Sequence, residues 1–183
     1  MPALVPPVVT GLPEQQPTLR AGDLTVRPWL DEDAPALLQV YADAAVQRWH
    51  CEVLDSGEAS AYARRWAELW RTGSRAGWAV VRDHRLVARV TLSHLVLEGG
   101  QGEVTYWTAP WARGTGVAPT AVEAVAAWAF DLGLQRLELQ HSTANPSSCR
   151  VAEKTGFALE GTKRRAGLHQ DGWHDMHLHA RLA

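Results

Sequence analysis

The run Arg113-Gly114-Thr115-Gly116-Val117-Ala118 is the segment of this 183-residue chain best suited to chemistry, because it falls where a strand-like pattern gives way to a helical one. Glycine in such a turn lets the backbone approach a ligand closely, and the first N–H groups of the helix that follows have no partners within it. That arrangement suits a pyrophosphate. The plainer reading is a tight strand-to-helix turn without a ligand, and the motif by itself does not separate the two. A dinucleotide-binding reading needs G-x-G-x-x-G early in a βαβ unit and an acidic residue about 20 positions later. Here one glycine is missing and the turn follows a hairpin-rich half.

Other residue sets point to chemistry less directly. His174, His177 and His179 invite a metal, but 177 and 179 share a strand face with Arg181, and no carboxylate or cysteine completes the set. A solvated strand face and no metal are therefore expected. Cys51 and Cys149 lack the paired spacing of a zinc site or a redox C-x-x-C, which fits a reducing cytoplasm. With 18 Lys and Arg against 20 Asp and Glu, the chain has no basic excess to neutralise a nucleic-acid backbone. No stretch of about 18 apolar residues is present, and the first residues lack the layout of a signal peptide, so a soluble, unexported protein without a membrane partner is expected.

These residues need elements to position them. Residues 1–20 hold five of the ten prolines and read as an extended or mobile arm outside the fold, leaving 21–183 as one domain. Leu24 to Arg27 alternates as a strand, and Asp31 to Asp33 cap a helix bearing Leu37, Val40 and Tyr41. Tyr62, Trp66, Leu69 and Trp70 fall at helical spacing between Glu58 and Arg71. Valine-rich runs from Trp78 to Arg82 and Leu86 to Leu92 flank Asp83-His84-Arg85 as a hairpin, and Glu103 to Thr108 offers a third strand. A helix from Pro119 to Leu132, a strand through Leu137 and Leu139, a helix from Pro146 to Lys154 and a last strand through Met176 to Leu182 complete the order β-α-α-β-β-β-α-β-α-β-β. Trp66, Trp70 and Trp128 read as core, whereas Trp29 and Trp49 are candidates for an aromatic wall.

Arg113-x-x-Gly116-x-Ala118, taken with this order of elements, resembles the Q/R-x-x-G-x-G/A signature of the GNAT acetyltransferases. Tyr106-Trp107 before Ala109-Pro110, Asn145-x-x-Ser148, Glu153-Lys154-x-Gly156-Phe157, Glu160-Gly161 and Trp173-His174-Asp175 look like the RimJ/RimL branch. The resemblance implies an α/β GNAT fold, a mixed sheet of six to seven strands flanked by about four helices, with acetyl-CoA as co-substrate. It also implies acetyl transfer to a primary amine on a protein N-terminus or small molecule, and paired subunits are frequent in the family. Succinyl-CoA as donor, or acyl-CoA binding without turnover, are the alternatives. A nucleotide-binding domain of another sort requires a parallel sheet and an early phosphate loop.

On this resemblance, Arg113, Gly114, Thr115, Gly116, Val117 and Ala118 hold the CoA pyrophosphate, and the backbone at Trp107 and Thr108 pairs with pantetheine. Asn145 and Ser148 face the pantetheine and thiol. The tyrosine that many members use as acid is Ala152 here, so Ser148 is the hydroxyl expected to protonate the departing thiolate, unless it is a helix-capping or helix-face serine near Pro146. A glutamate found in RimL relatives is replaced by Gly167. Glu103 is then the candidate base, unless it is an ordinary strand residue or the amine arrives neutral. Pro119 removes one helix-start donor, and Thr105 stands where close relatives often have glycine.

Overall fold

The computed structural model describes residues 6–183. The elements are β1 (Leu19–Ala21), β2 (Leu24–Arg27), α1 (Ala34–Tyr41), α2 (Ala44–His50), α3 (Ser56–Arg71), β3 (Ala76–Arg82), β4 (Arg85–Val96), β5 (Gln101–Thr108), α4 (Val117–Asp131), β6 (Arg136–Ser142), α5 (Pro146–Lys154), β7 (Ala158–His169) and β8 (Gly172–Leu182). The strands form one sheet in the order β1-β2-β3-β4-β5-β6-β8-β7. Only β5 and β6 run parallel, and their pairing covers just Gln101↔Arg136, Gly102↔Leu137 and Glu103↔Glu138. Beyond Glu103 the two strands part.

The centre of the sheet is buried on both faces, which explains why β3 reads as the nearly unbroken apolar run Ala-Gly-Trp-Ala-Val-Val. Trp78 and Val80 join a core with α4, while Ala79 and Val81 join a second core with α1 and α3. On α4, Val117, Ala121, Val122, Val125, Ala126 and Ala129 make one buried stripe, largely of small residues that seat the helix close to the sheet. Each large side chain buried in these cores stabilises the fold by about 1.5–3 kcal/mol. Trp70, Trp78 and Trp128 stack edge-on in the first core, as expected for Trp70 and Trp128.

Among the described residues there are one sheet of eight strands and five α-helices, against an expectation of six to seven and about four. β1 is three residues long and α2 buries only Val46, so neither carries a readable period. Asp43 nonetheless caps α2 by accepting from the amides of Ala45 and Val46 at 3.1 and 3.0 Å. β7 is exposed along most of its length, which erases the alternation expected of a half-buried strand. Arg164 and Arg165 lie inside β7 where a bulge separates Lys163 from Gly167.

Within the proline-rich arm, residues 1–5 lie outside the described residues; the remainder is docked. The amides of Val8 and Val9 donate to the carbonyls of Glu98 and Leu97 at 3.0 and 3.1 Å. The indole N–H groups of Trp70 and Trp78 donate to the carbonyls of Pro13 and Pro17 at 2.9 and 3.1 Å. Prolines lack an N–H but keep this acceptor, so at Pro13 and Pro17 the strap binds through carbonyls.

Candidate active site

Where β5 and β6 part, a cleft of about 590 Å³ opens, with Val104–Thr108 on one wall and Leu139–Ser142 on the other. The first turns of α4 and α5 close one side, and Val46, Trp49 and His50 of α2 line another part. Trp107, Thr108, Arg113, Gly114, Gly116, Val117, Ala118, Asn145 and Ser148 all line this one cleft. Thr105 lines it too, with its hydroxyl bound to that of Thr91 at 2.6 Å.

Gly116 occupies the N-cap of α4 at φ 80°, and Gly114 stands at φ 76°, both in left-handed backbone that favours glycine. The amides of Val117 and Ala118 therefore have no acceptor within the helix, and the positive end of its dipole faces the cleft. Pro119 removes the next donor, and Thr120 N–H turns back to Gly116 O at 3.3 Å. Thr115 is the exception in the motif. It does not line the cleft; its hydroxyl donates to Ala112 O at 2.8 Å and receives Arg82 at 3.3 Å. Arg113 forms an ion pair with Asp43, whose carboxyl it holds below the usual range, and so ties the turn to the cap of α2.

On α5, Asn145 rather than Ser148 is the cap, its Oδ1 accepting from Ser148 N–H at 3.2 Å. The Ser148 hydroxyl is 8% exposed and shares a hydrogen bond with Tyr106 Oη at 2.8 Å. Tyr106 has its own place in the cleft wall, and burial pushes its phenol up to about 12 against the opposing effect of Ser148. Its role was missed in the sequence because a hydroxyl was sought at Ala152 of α5, whereas this one comes from β5. The clue was the strand register itself.

Glu103 is not brought to the cleft. It marks the point where β5 and β6 part, lines a separate depression with His94 and Glu138, and contacts His94 at 3.1 Å. Burial raises its carboxyl pKa, with His94 opposing. It is linked toward the cleft by Gln140, which lines both and whose amide donates to Oε2 at 3.3 Å. His50, which does line the cleft, is pushed down to about 3 by burial and by Arg89, and is a poor proton acceptor.

The aromatic-wall expectation divides. Trp49 lines the cleft, edge-on to His169 at 5.8 Å, but Trp29 is 5% exposed and packs behind it against Tyr62 at 4.8 Å. The expected solvated strand face fails at His179. His179 is 1% exposed and His141, its neighbour across β6, is 5% exposed, because β8 lies inside the sheet and the chain around α5 covers this face. Cys149 adjoins His141, His177 and His179, whereas His174 stands outside this group with its Nε2 2.9 Å from Asp171.

Gly167 has a steric reason to be glycine. A Cβ there would stand 2.6 Å from Met176 Sδ. Gly167→Glu is expected to cost no more than about 1 kcal/mol, because the atom met is the far end of the flexible Met176 side chain, and Met176→Ala should recover the loss, both read by denaturant unfolding.

A sheet splayed at one parallel pair, with a phosphate-ready helix start at the opening, defines a cleft for a long, anion-bearing ligand. Residues 23–158 match the acetyltransferase (GNAT) domain, and the chain belongs to this family. It is 25% identical over 115 residues to the ribosomal-protein-serine acetyltransferase of Escherichia coli (strain K12), spanning 62% of this chain and 64% of that relative's length. Among solved structures, RimL, a ribosomal L7/L12 α-N-protein acetyltransferase in complex with coenzyme A, superposes with a TM-score of 0.84 at 18% identity, over 91% of this chain and 98% of that one. The ribosomal-protein-S5-alanine acetyltransferase of Vibrio fischeri gives 0.80 at 19% identity, over 91% and 97%. The mixed-sheet α/β fold expected from the sequence is thereby met, as is the likeness to RimJ/RimL-type relatives. No helix among the described residues is long and apolar enough to cross a membrane.

Proposed function

We propose that the chain transfers an acetyl group from acetyl-CoA to a primary amine, with a protein N-terminus as the leading acceptor class. The observation that carries this is the Tyr106–Ser148 hydroxyl pair, 2.8 Å apart, in the same cleft as the open amides of α4. The amides of Gly116, Val117 and Ala118 bind the pyrophosphate, and pantetheine runs between β5 and β6 beside Trp107, Thr108 and Asn145. This places the thioester near Ser148. Names of the relatives, which modify ribosomal proteins, support an N-terminal amine and a cytoplasmic setting.

The amine nitrogen attacks the thioester carbonyl, forming a tetrahedral intermediate, and the carbon–sulfur bond then breaks. Ser148 Oγ–H protonates the departing sulfur, and Tyr106, still protonated at neutral pH, donates to the serine oxygen in turn. With Glu103 outside the cleft and His50 too weak, the amine binds neutral, and once attack has made its nitrogen cationic it releases the surplus proton to solvent, from which the Tyr106–Ser148 pair is reprotonated. No dedicated base is required.

Tyr106→Phe is expected to lower kcat about tenfold, the worth of one ordinary hydrogen bond, while CoA affinity changes less than about twofold. Steady-state thiol release together with calorimetry checks this. The reaction class itself is tested by mass spectrometry of an N-terminal peptide incubated with acetyl-CoA. An added acetyl group matched by an equal amount of free thiol supports it; thiol release with an unmodified peptide points to hydrolysis instead.

A further inference from the structure

His141 on β6, His177 and His179 on β8 and Cys149 on α5 bring their donor atoms within 4.8 Å of one another. The hydrogen bonds of two of these histidines determine their tautomers. His141 Nδ1 lies 2.8 Å from Ser142 O, and His179 Nδ1 lies 3.1 Å from Phe157 O. A carbonyl can only accept, so both Nδ1 atoms carry hydrogen. In the neutral rings both Nε2 atoms then present lone pairs, yet they face each other at 3.2 Å inside the protein. Something positive must sit between or beside them.

A shared proton would require one imidazolium buried in the protein interior, where its charge loses the solvation it has in water. A metal ion answers the geometry more fully. Imidazole nitrogens each 2.0–2.1 Å from a tetrahedral ion stand about 3.3 Å apart, close to the observed separation. Ligating histidines characteristically donate their other N–H to a carbonyl, as both do here. A third nitrogen, His177 Nδ1, is buried without a hydrogen-bond partner. Cys149, partly exposed, supplies the fourth donor.

We propose that His141, His177, His179 and Cys149 form a tetrahedral site for a divalent metal ion, zinc being the ion that three imidazoles and a thiolate fit. On binding, the Cys149 thiol releases its proton to solvent and the three rings remain neutral. Four protein donors leave no open position, so the ion is structural. It ties the first half of α5, and with it Ser148, to the strands forming the far wall of the cleft. His141 also lines that cleft, which gives the ion a route in.

The test is titration of chelator-treated protein with cobalt(II), then zinc(II). Tetrahedral visible bands and a thiolate-to-cobalt charge-transfer band are expected at one ion per chain, with zinc abolishing both. Cys149→Ser should remove the charge-transfer band and weaken zinc binding at least about tenfold. Cys51→Ser should leave both intact. Zinc should raise the melting temperature of the parent chain and do so far less for Cys149→Ser, whose metal-free melting serves as the folding control. Zinc affinity unchanged in Cys149→Ser, or cobalt bands lost instead in Cys51→Ser, would overturn the assignment. So would absence of tetrahedral bands, which leaves the histidines sharing a proton.

Discussion

Gly116→Glu is expected to abolish CoA binding, weakening it at least about 100-fold, equivalent to about 2.7 kcal/mol. The residue caps α4 at φ 80°, where an L side chain is strained by roughly 1–2 kcal/mol. No atom stands within 4 Å of a Cβ built there, so the glutamate has room and the domain should still fold. Its carboxylate would compete with the pyrophosphate for the open amides of Val117 and Ala118 and repel it. Gly116→Ala separates the two effects, carrying the strain without the charge. Calorimetry with CoA reads both variants, and affinity within tenfold of the parent for the glutamate would place the pyrophosphate elsewhere.

Ser148→Ala is expected to lower kcat by roughly 100-fold, in the range of a lost general acid. CoA affinity should change less than about threefold, since the proton is needed only as the carbon–sulfur bond breaks. The serine does not cap α5, because Asn145 performs that task, so folding should be spared. Equal losses in turnover and in CoA affinity would make Ser148 a cofactor contact. Read together, Ser148→Ala and Tyr106→Phe form a pair. If Tyr106 acts only through the serine, the double variant should be no slower than Ser148→Ala alone.

Much of this site was legible in the sequence because local rules governed it. The glycines at 114 and 116 announced a turn that needs left-handed backbone, and both adopt it. The helix from Pro146 to Lys154 begins and ends as its proline and Gly156 imply. What escaped reading depends on partners distant in the chain. Tyr106 matters because β5 brings it to Ser148, 42 residues away. Glu103 stands outside the cleft lining because it sits where two strands part, which no local pattern encodes. The histidines looked solvated because alternation reveals that a strand has two faces, not which of them another element covers. Cys149 lay on a helix, His141 on another strand, and only the fold brings them together.

The most direct measurement is thiol release from acetyl-CoA across a panel of amines comprising N-terminal peptides, polyamines, amino acids and aminoglycosides. Release well above the amine-free blank is expected with one acceptor class, foremost the peptides, and it should fall with Ser148→Ala and vanish with Gly116→Glu. If CoA binds, yet no amine raises release with either acetyl-CoA or succinyl-CoA, the chain is an acyl-CoA-binding protein and the transferase account is wrong.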